Sequence, residues 1–189
     1  MRSDAKQNYS HILTIAREVI AEVGVDASMR DIARKAEVGP ATLFRHFPTR
    51  EVLLDTLLRT SLEELTDAAA TLEASSASDV ALVSWLRDAV AFVRVYSGVV
   101  TLMATALSDP GSALHASCEN LRRAGTRLLE RAQADGMADK KMTGSDLFAL
   151  IAALGWLGDQ PSFAPRSDYL FHVISGAVVT NRTERNGTE

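Results

Sequence analysis

The sequence lacks the features that mark secreted, membrane-spanning and disulfide-stapled proteins. Its single cysteine, Cys118, cannot form a disulfide within the chain, which is typical of proteins from a reducing compartment. No apolar run approaches the roughly 18 residues of a membrane span, and residues 1–8 are too polar for a signal peptide. We therefore expect a cytoplasmic protein without a membrane partner.

Residue combinations that carry catalysis or hold metal ions are also missing. The four histidines show none of the spacings of a metal site, and they are His11, His46, His115 and His172. No glycine-rich phosphate loop and no nucleophile–base pair is recognisable. We predict no metal, no cofactor and no enzymatic activity. The alternative to a protein without enzymatic activity is a small helical enzyme that uses a buried pocket.

Positive charge is scarce overall, since the net charge is −4, but it is unevenly distributed. The first 60 residues carry nine Lys/Arg against eight Asp/Glu, and the remaining residues carry eleven against sixteen. Between residues 30 and 50 five basic residues face two acidic ones, and such a local basic surface is what meets phosphate. Charge alone favours the simpler interpretation, a solvated helix surface.

Helical periodicity runs through most of the chain. Apolar residues recur at steps of three and four, and no alternating run is long enough for a strand. We predict an all-α fold of about nine helices, with a three-helix domain at residues 1–50, a larger helical bundle at 51–182 and a polar tail at 183–189. The helix over residues 114–132 carries its charges on one polar face, namely Glu119, Arg122, Arg123, Arg127 and Arg131.

Two short helices joined by a turn are predicted at residues 28–47. Ser28 and Asp31 have the spacing of a capping box at the start of the first helix. Pro40 suits the first turn of the second helix, where its missing N–H costs nothing. This is the pattern of a helix–turn–helix, whose second helix enters the major groove, although any short helical hairpin looks similar.

The stretch that contains both helices is specific in its residues as well. Residues 32–54 read IARKAEVGPATLFRHFPTREVLL. This run, within residues 12–57, resembles the DNA-binding module of the TetR family of bacterial transcriptional repressors, whose usual form is close to IAxxAGVSxGTLYxHFxxKExL. The resemblance implies a larger C-terminal helical body for ligand binding and dimerisation.

The resemblance also assigns a set of DNA-binding residues. The first residues of the second helix and Arg45 would face base edges, where Arg45 would make a bidentate contact to guanine. His46 and Arg50 would contact phosphates, and Ser28 and Arg30 would lie at the mouth of the preceding helix. The full set is Ser28, Arg30, Pro40, Ala41, Thr42, Phe44, Arg45, His46 and Arg50.

Two departures from the family pattern weaken the expected contacts with the DNA backbone. Phe44 stands where the family usually has tyrosine, so a hydroxyl that would reach phosphate is missing. Glu37 stands where the family usually has glycine at the turn, and it adds negative charge near the DNA.

A ligand-responsive regulator also needs a cavity whose occupant favours one of two shapes. An apolar pocket with few polar groups would bind a largely apolar small-molecule effector. At helical spacing the same residues are more often plain core, which is the competing interpretation. The candidate lining residues are Trp85, Phe92, Tyr96, Met103, Leu107, His115, Cys118, Phe148 and Trp156.

The last two predicted helices, residues 146–157 and 169–179, lack an outer polar face. We therefore predict a homodimer in which they pair with their two-fold copies, with Gly155 and Gly176 permitting close approach. Together these features predict a sequence-specific DNA-binding regulator, most simply a repressor that a small-molecule effector releases from a palindromic operator. The alternative is a helical adaptor or small-molecule-binding protein with weak or no DNA binding.

Overall fold

The protein is helical throughout the part of the chain that the structure describes. The computed structural model describes residues 2–24, 27–96 and 99–179, and the predicted tail at 183–189 lies outside them. Within these ranges the prediction of an all-α fold of about nine helices is confirmed. The helices are α1 (Arg2–Val23), α2 (Met29–Lys35), α3 (Pro40–His46), α4 (Arg50–Ser75), α5 (Ser78–Val95), α6 (Val99–Ser108), α7 (His115–Ala134), α8 (Gly144–Asp159) and α9 (Ser167–Val178), with a short 3₁₀ helix at Ala164–Arg166.

Side-chain caps account for where three of these helices begin. The Ser28 hydroxyl accepts a hydrogen bond from the backbone N–H of Arg30 at 3.2 Å, which caps α2. The prediction of a complete capping box at this position is wrong. The Asp31 carboxylate pairs with Arg34 at 2.8 Å, one turn later on the same helix, instead of accepting a hydrogen bond from the Ser28 backbone N–H. Thr49 caps α4 in the same manner as Ser28, and Thr143 begins α8 with a full capping box.

Helices α1, α2 and α3 form a small unit around a shared apolar core. Its fully buried side chains are Ile12, Ala16, Ile20, Ile32, Ala33, Ala36, Leu43 and Phe47. The small Ala33 and Ala36 let α2 cross its neighbours closely. His11 of α1 donates from Nε2 to the Ala36 carbonyl oxygen at 3.2 Å, which ties α1 to the end of α2. The division of the chain at residue 50 stays a prediction.

Helix α5 runs through the middle of the larger body, as its all-round apolar sequence predicts. It packs against α4, α7, α8 and α9. The Trp85 side chain is completely buried there, and its indole N–H donates to the Leu65 carbonyl oxygen at 2.9 Å. A Cβ at Gly125 of α7 would come within 2.4 Å of the Trp85 ring, so this crossing requires glycine.

Gly155 has a role inside the subunit that differs from the predicted one. A Cβ there would lie 2.1 Å from a Val93 methyl, so Gly155 permits α8 to approach α5 rather than a second copy. Gly176, by contrast, is exposed and faces open space.

Two polar contacts connect α4 to the helices on either side of it. Arg17 of α1 forms an ion pair with Glu64 at 3.0 Å. The Tyr96 hydroxyl, at the end of α5, forms a buried hydrogen bond with the Ser61 hydroxyl at 3.2 Å. Helix α4 therefore bridges the small unit and the larger body.

Within the described residues, no single helix is both long and apolar enough to cross a bilayer. Only α5 and α6 taken together, across a 105° bend, meet the length and composition of a span.

Candidate nucleic-acid interface and core cavity

Helix α3 is anchored by its inner face and leaves its outer face in solvent. Leu43 and Phe47 are buried at 0% and 1% exposure and hold the helix against α1 and α2. Pro40, Ala41 and Arg45 are exposed, and Thr42 is half-buried beside them. Phe44 is 43% exposed, which places it on the surface rather than in the core.

The basic residues around α3 divide into paired and unpaired groups. Arg34 pairs with Asp31, and Lys35 pairs with Glu22 of α1 at 2.8 Å. Each of these two positive charges is therefore partly offset by a carboxylate of the protein itself. The side chains of Arg30 and Arg45 are exposed and make no ion pair within the described residues. The local basic surface is therefore narrower than the sequence suggests, and it centres on Arg30 and Arg45.

The two positions predicted to contact phosphate, His46 and Arg50, lie where α3 meets α4. The half-buried His46 ring lies edge-on to Tyr9 of α1, with centroids 6.0 Å apart, and Tyr9 in turn stacks on Phe47 at 5.0 Å. Arg50 is the first residue of α4 and is half-buried. Tyr9 was not among the predicted residues, and the apolar periodicity of α1, which begins at Ile12, gave no signal for it.

The turn between α2 and α3 requires a left-handed residue, and Glu37 supplies it. Its backbone φ angle is 54°, a value that residues other than glycine rarely adopt. The backbone N–H of Glu37 donates to the Arg34 carbonyl at 3.1 Å, and that of Val38 donates to the Ala33 carbonyl at 3.0 Å. These two bonds form a Schellman motif, in which glycine is the usual residue at the left-handed position.

We expect Glu37→Gly to raise both the stability and the DNA affinity of the protein. Relief of the left-handed strain should contribute about 1 kcal/mol to the free energy of unfolding. Loss of a negative charge near the phosphates should also strengthen binding. Glu37→Gln is the matched control, because it removes the charge and keeps the strain. Equal stability of the two variants in denaturant titrations would contradict the strain argument.

A cavity of about 250 Å³ lies between α5, α6, α7 and α8. Five of the nine predicted pocket residues line it, namely Phe92, Met103, Leu107, Cys118 and Phe148. The rest of the lining is mostly aliphatic, with two polar exceptions, Arg122 of α7 and Ser145 of α8. Sequence reasoning missed both polar residues, because Arg122 belongs to a charged helix face that periodicity assigns to solvent.

The other four predicted pocket residues lie elsewhere. Trp85 is behind the cavity wall, edge-on to Phe148 with centroids 5.9 Å apart. Tyr96 is engaged with Ser61, and His115 donates from Nδ1 to the Ala106 carbonyl at 2.9 Å, which ties α6 to α7. Trp156 is 58% exposed on the outside of α8. None of the four is among the residues that line the cavity.

Cys118 lines the cavity but has the environment of an unreactive thiol. It is 1% exposed, and burial raises its pKa, with the neighbouring Glu119 charge acting in the same direction. Reactive cysteines have a lowered pKa and access to solvent. An oxidant-sensing role for Cys118 is therefore disfavoured.

Two protein-family models match the chain in successive segments. The model described as "Bacterial regulatory proteins, tetR family" matches residues 12–57, which contain α2, α3 and the start of α4. The model described as "Transcriptional regulator SbtR-like, C-terminal domain" matches residues 77–176, more than half of the chain.

Individual transcriptional regulators are also similar to the chain in sequence or in structure. The HTH-type transcriptional regulator UidR of Escherichia coli strain K12 is 34% identical over 59 residues, so the chain matches only 30% of the length of that relative. The crystal structure of a TetR transcriptional regulator from Streptomyces coelicolor is 28% identical, with a TM-score of 0.72 over 92% of this chain and 99% of that one. The structure of a TetR transcription regulatory protein from Mycobacterium vanbaalenii is 26% identical, with a TM-score of 0.62 over 94% and 98% of the two chains.

Proposed function

Because this chain belongs to the TetR family of transcriptional regulators, which bind DNA, we propose that it is a repressor released from a palindromic operator by a small-molecule effector. The observation that carries the proposal is α3, a short helix with a buried inner face and an exposed outer face, on which Arg45 makes no ion pair with any described residue. Such a helix fits the major groove, where guanidinium groups read guanine.

The proposed interface uses each predicted DNA-binding residue in a defined role. Pro40, Ala41 and Thr42 lie at the exposed start of α3 and approach base edges together with Arg45. Phe44 contributes apolar contact beside them. The phosphate backbone is held by the remaining residues, Ser28, Arg30, His46 and Arg50, which lie at the ends of α2, α3 and α4.

A homodimer is part of the proposal, since a palindrome is read by two symmetric copies. The exposed side of α8 carries Ala149, Ala153 and Trp156 at helical spacing. The exposed side of the neighbouring α9 carries Tyr169 and Val173, which are 56% and 47% exposed. Exposed apolar side chains on two neighbouring helices are typical of an interface between subunits.

We expect Trp156→Lys to weaken dimerisation strongly. Large aromatic side chains near the centre of an interface commonly contribute at least about 2 kcal/mol, so the dimer dissociation constant should rise about thirtyfold or more. Val80→Lys is the control, because Val80 is 53% exposed but lies at the start of α5. Sedimentation equilibrium measures both variants. A Trp156→Lys protein that dimerises as tightly as the Val80→Lys protein would rule out this surface.

The proposed effector site is the cavity between α5, α6, α7 and α8, and α4 links it to the DNA. Helix α6 forms one wall of the cavity. Tyr96, at the end of the preceding helix α5, is hydrogen-bonded to Ser61 of α4. An effector that prefers the DNA-incompetent shape by ~100-fold supplies about 2.7 kcal/mol of coupling per site. Two occupied sites are then sufficient to empty an operator.

Selection of bound duplexes from random DNA tests the proposal directly. The purified chain should enrich a palindrome whose half-sites are about one helical turn (~34–36 Å) apart. Failure to enrich any sequence at low ionic strength would favour a helical adaptor that binds DNA weakly or not at all.

A further inference from the structure

The polar side chains of the cavity lining are few, and they are open to solvent and not paired with another described residue. Among its lining residues only Arg122 and Ser145 carry polar side chains other than the Cys118 thiol, and no carboxylate is present. Neither the Arg122 guanidinium nor the Ser145 hydroxyl makes a hydrogen bond or an ion pair within the described residues. Two donors therefore stand at an otherwise apolar site.

Arg122 differs in this respect from the other arginines of α7. Arg123 pairs with Glu119 and Arg127 pairs with Glu73, each at 3.7 Å. Arg131 donates to the Ser76 carbonyl oxygen at 2.9 Å. Arg122 alone among these four lines the cavity, and it alone lacks a partner among the described residues.

The start of α8 adds backbone N–H donors to this side of the cavity. Ser145 lies in the first turn of a 16-residue helix, where backbone N–H groups and the helix dipole favour an anion. That turn also carries the ionised carboxylate of Asp146, which accepts hydrogen bonds from the Thr143 hydroxyl and backbone N–H at 2.7 and 2.8 Å and forms no ion pair with Arg122. Those hydrogen bonds lower the pKa of Asp146.

We propose that the effector is a small monocarboxylate with a compact apolar body, whose carboxylate binds Arg122 and Ser145 while its apolar body fills the cavity. This inference rests on the proposed function, since it names the ligand class of the same site. A guanidinium fork matches a carboxylate in geometry, and a single cation suits one negative charge better than a phosphate dianion. The volume of about 250 Å³ lies just below the roughly 300–1,000 Å³ of drug-sized sites, so the body must be small.

Calorimetric titration of the full chain with defined probes tests this assignment. The probes are octanoate and phenylpropanoate as carboxylates, octanol and octanamide as neutral analogues, and acetate as a carboxylate without an apolar body. At least one of the two larger carboxylates should bind about tenfold or more tightly than the neutral compounds, as a charge-assisted hydrogen bond predicts. Which of the two binds better distinguishes an alkyl from an aryl body.

Two matched variants locate the effect. Arg122→Gln should remove the preference for the carboxylate and leave binding of octanol unchanged. Arg123→Gln, next to it but outside the lining, should behave as the parent protein. The inference is overturned if the neutral compounds bind as well as the carboxylates, if acetate binds equally well, if Arg122→Gln keeps the preference, or if no probe binds.

Operator release is measured separately, so that the two proposals can fail independently. A carboxylate that binds through Arg122 without changing operator affinity upholds this inference and contradicts the effector-released repressor. An operator released only by the neutral compounds upholds the repressor and overturns this inference.

Discussion

Replacing Phe47 with alanine should unfold the three-helix unit and abolish operator binding. The Phe47 ring is 1% exposed and packs on Tyr9 with centroids 5.0 Å apart. Truncation of a buried phenylalanine typically costs about 3–5 kcal/mol, because transfer free energy is lost and a cavity remains. That is a large fraction of the stability of a small unit. Denaturant unfolding followed by circular dichroism, together with an operator titration, measures the effect.

Phe44→Ala is the matched control, because it deletes the same kind of side chain three residues before Phe47, within α3. Phe44 is 43% exposed, so the cost in unfolding free energy should stay below about 1 kcal/mol. Operator affinity should nevertheless fall modestly if Phe44 contacts DNA. Equal destabilisation by the two substitutions would mean that α3 is not seated on the small core as described.

Replacing Arg45 with alanine should cost operator binding about 1–3 kcal/mol, or roughly fivefold to 150-fold in affinity. The side chain is exposed at the end of α3 and has no competing partner among the described residues. Because a bidentate contact reads a single base pair, selectivity should relax at that position only. Binding to a panel of single-base operator variants measures both effects.

Arg34→Ala is the control for charge alone. Arg34 is exposed on α2, but its guanidinium is paired with Asp31 at 2.8 Å. Its loss should weaken binding to all sequences slightly and leave base selectivity intact. An Arg45→Ala protein that keeps its selectivity, or one indistinguishable from Arg34→Ala, would show that Arg45 does not read a base.

The fold was accessible from the sequence because helical periodicity and turn signals are local. The apolar stripe of α1 and the all-round apolar character of α5 correctly predicted most of the side chains that are buried. Pro40 was correctly predicted as the start of α3. The start of α1 was less visible, since its first ten residues carry no apolar stripe, yet the helix begins at Arg2.

Features that depend on partners distant in sequence were not accessible. The prediction of a capping box at α2 was only half right, because the Asp31 carboxylate pairs with Arg34 instead of the Ser28 backbone N–H. The spacing of the residues does not show which of these two interactions Asp31 makes. Trp156 has the periodicity of a core residue, but α8 is covered on one side only, so the ring is exposed. Arg122 lies at the border between the charged and apolar faces of α7, and only the packing of α6 and α8 shows that it lines a cavity.

An equilibrium titration of the purified chain with its selected operator tests the central claim most directly. The account predicts two chains per duplex, a preference of at least about 10³ over a scrambled duplex, and affinity that falls steeply with salt. A chain that binds the two duplexes equally, or that ignores both at low ionic strength, would contradict it.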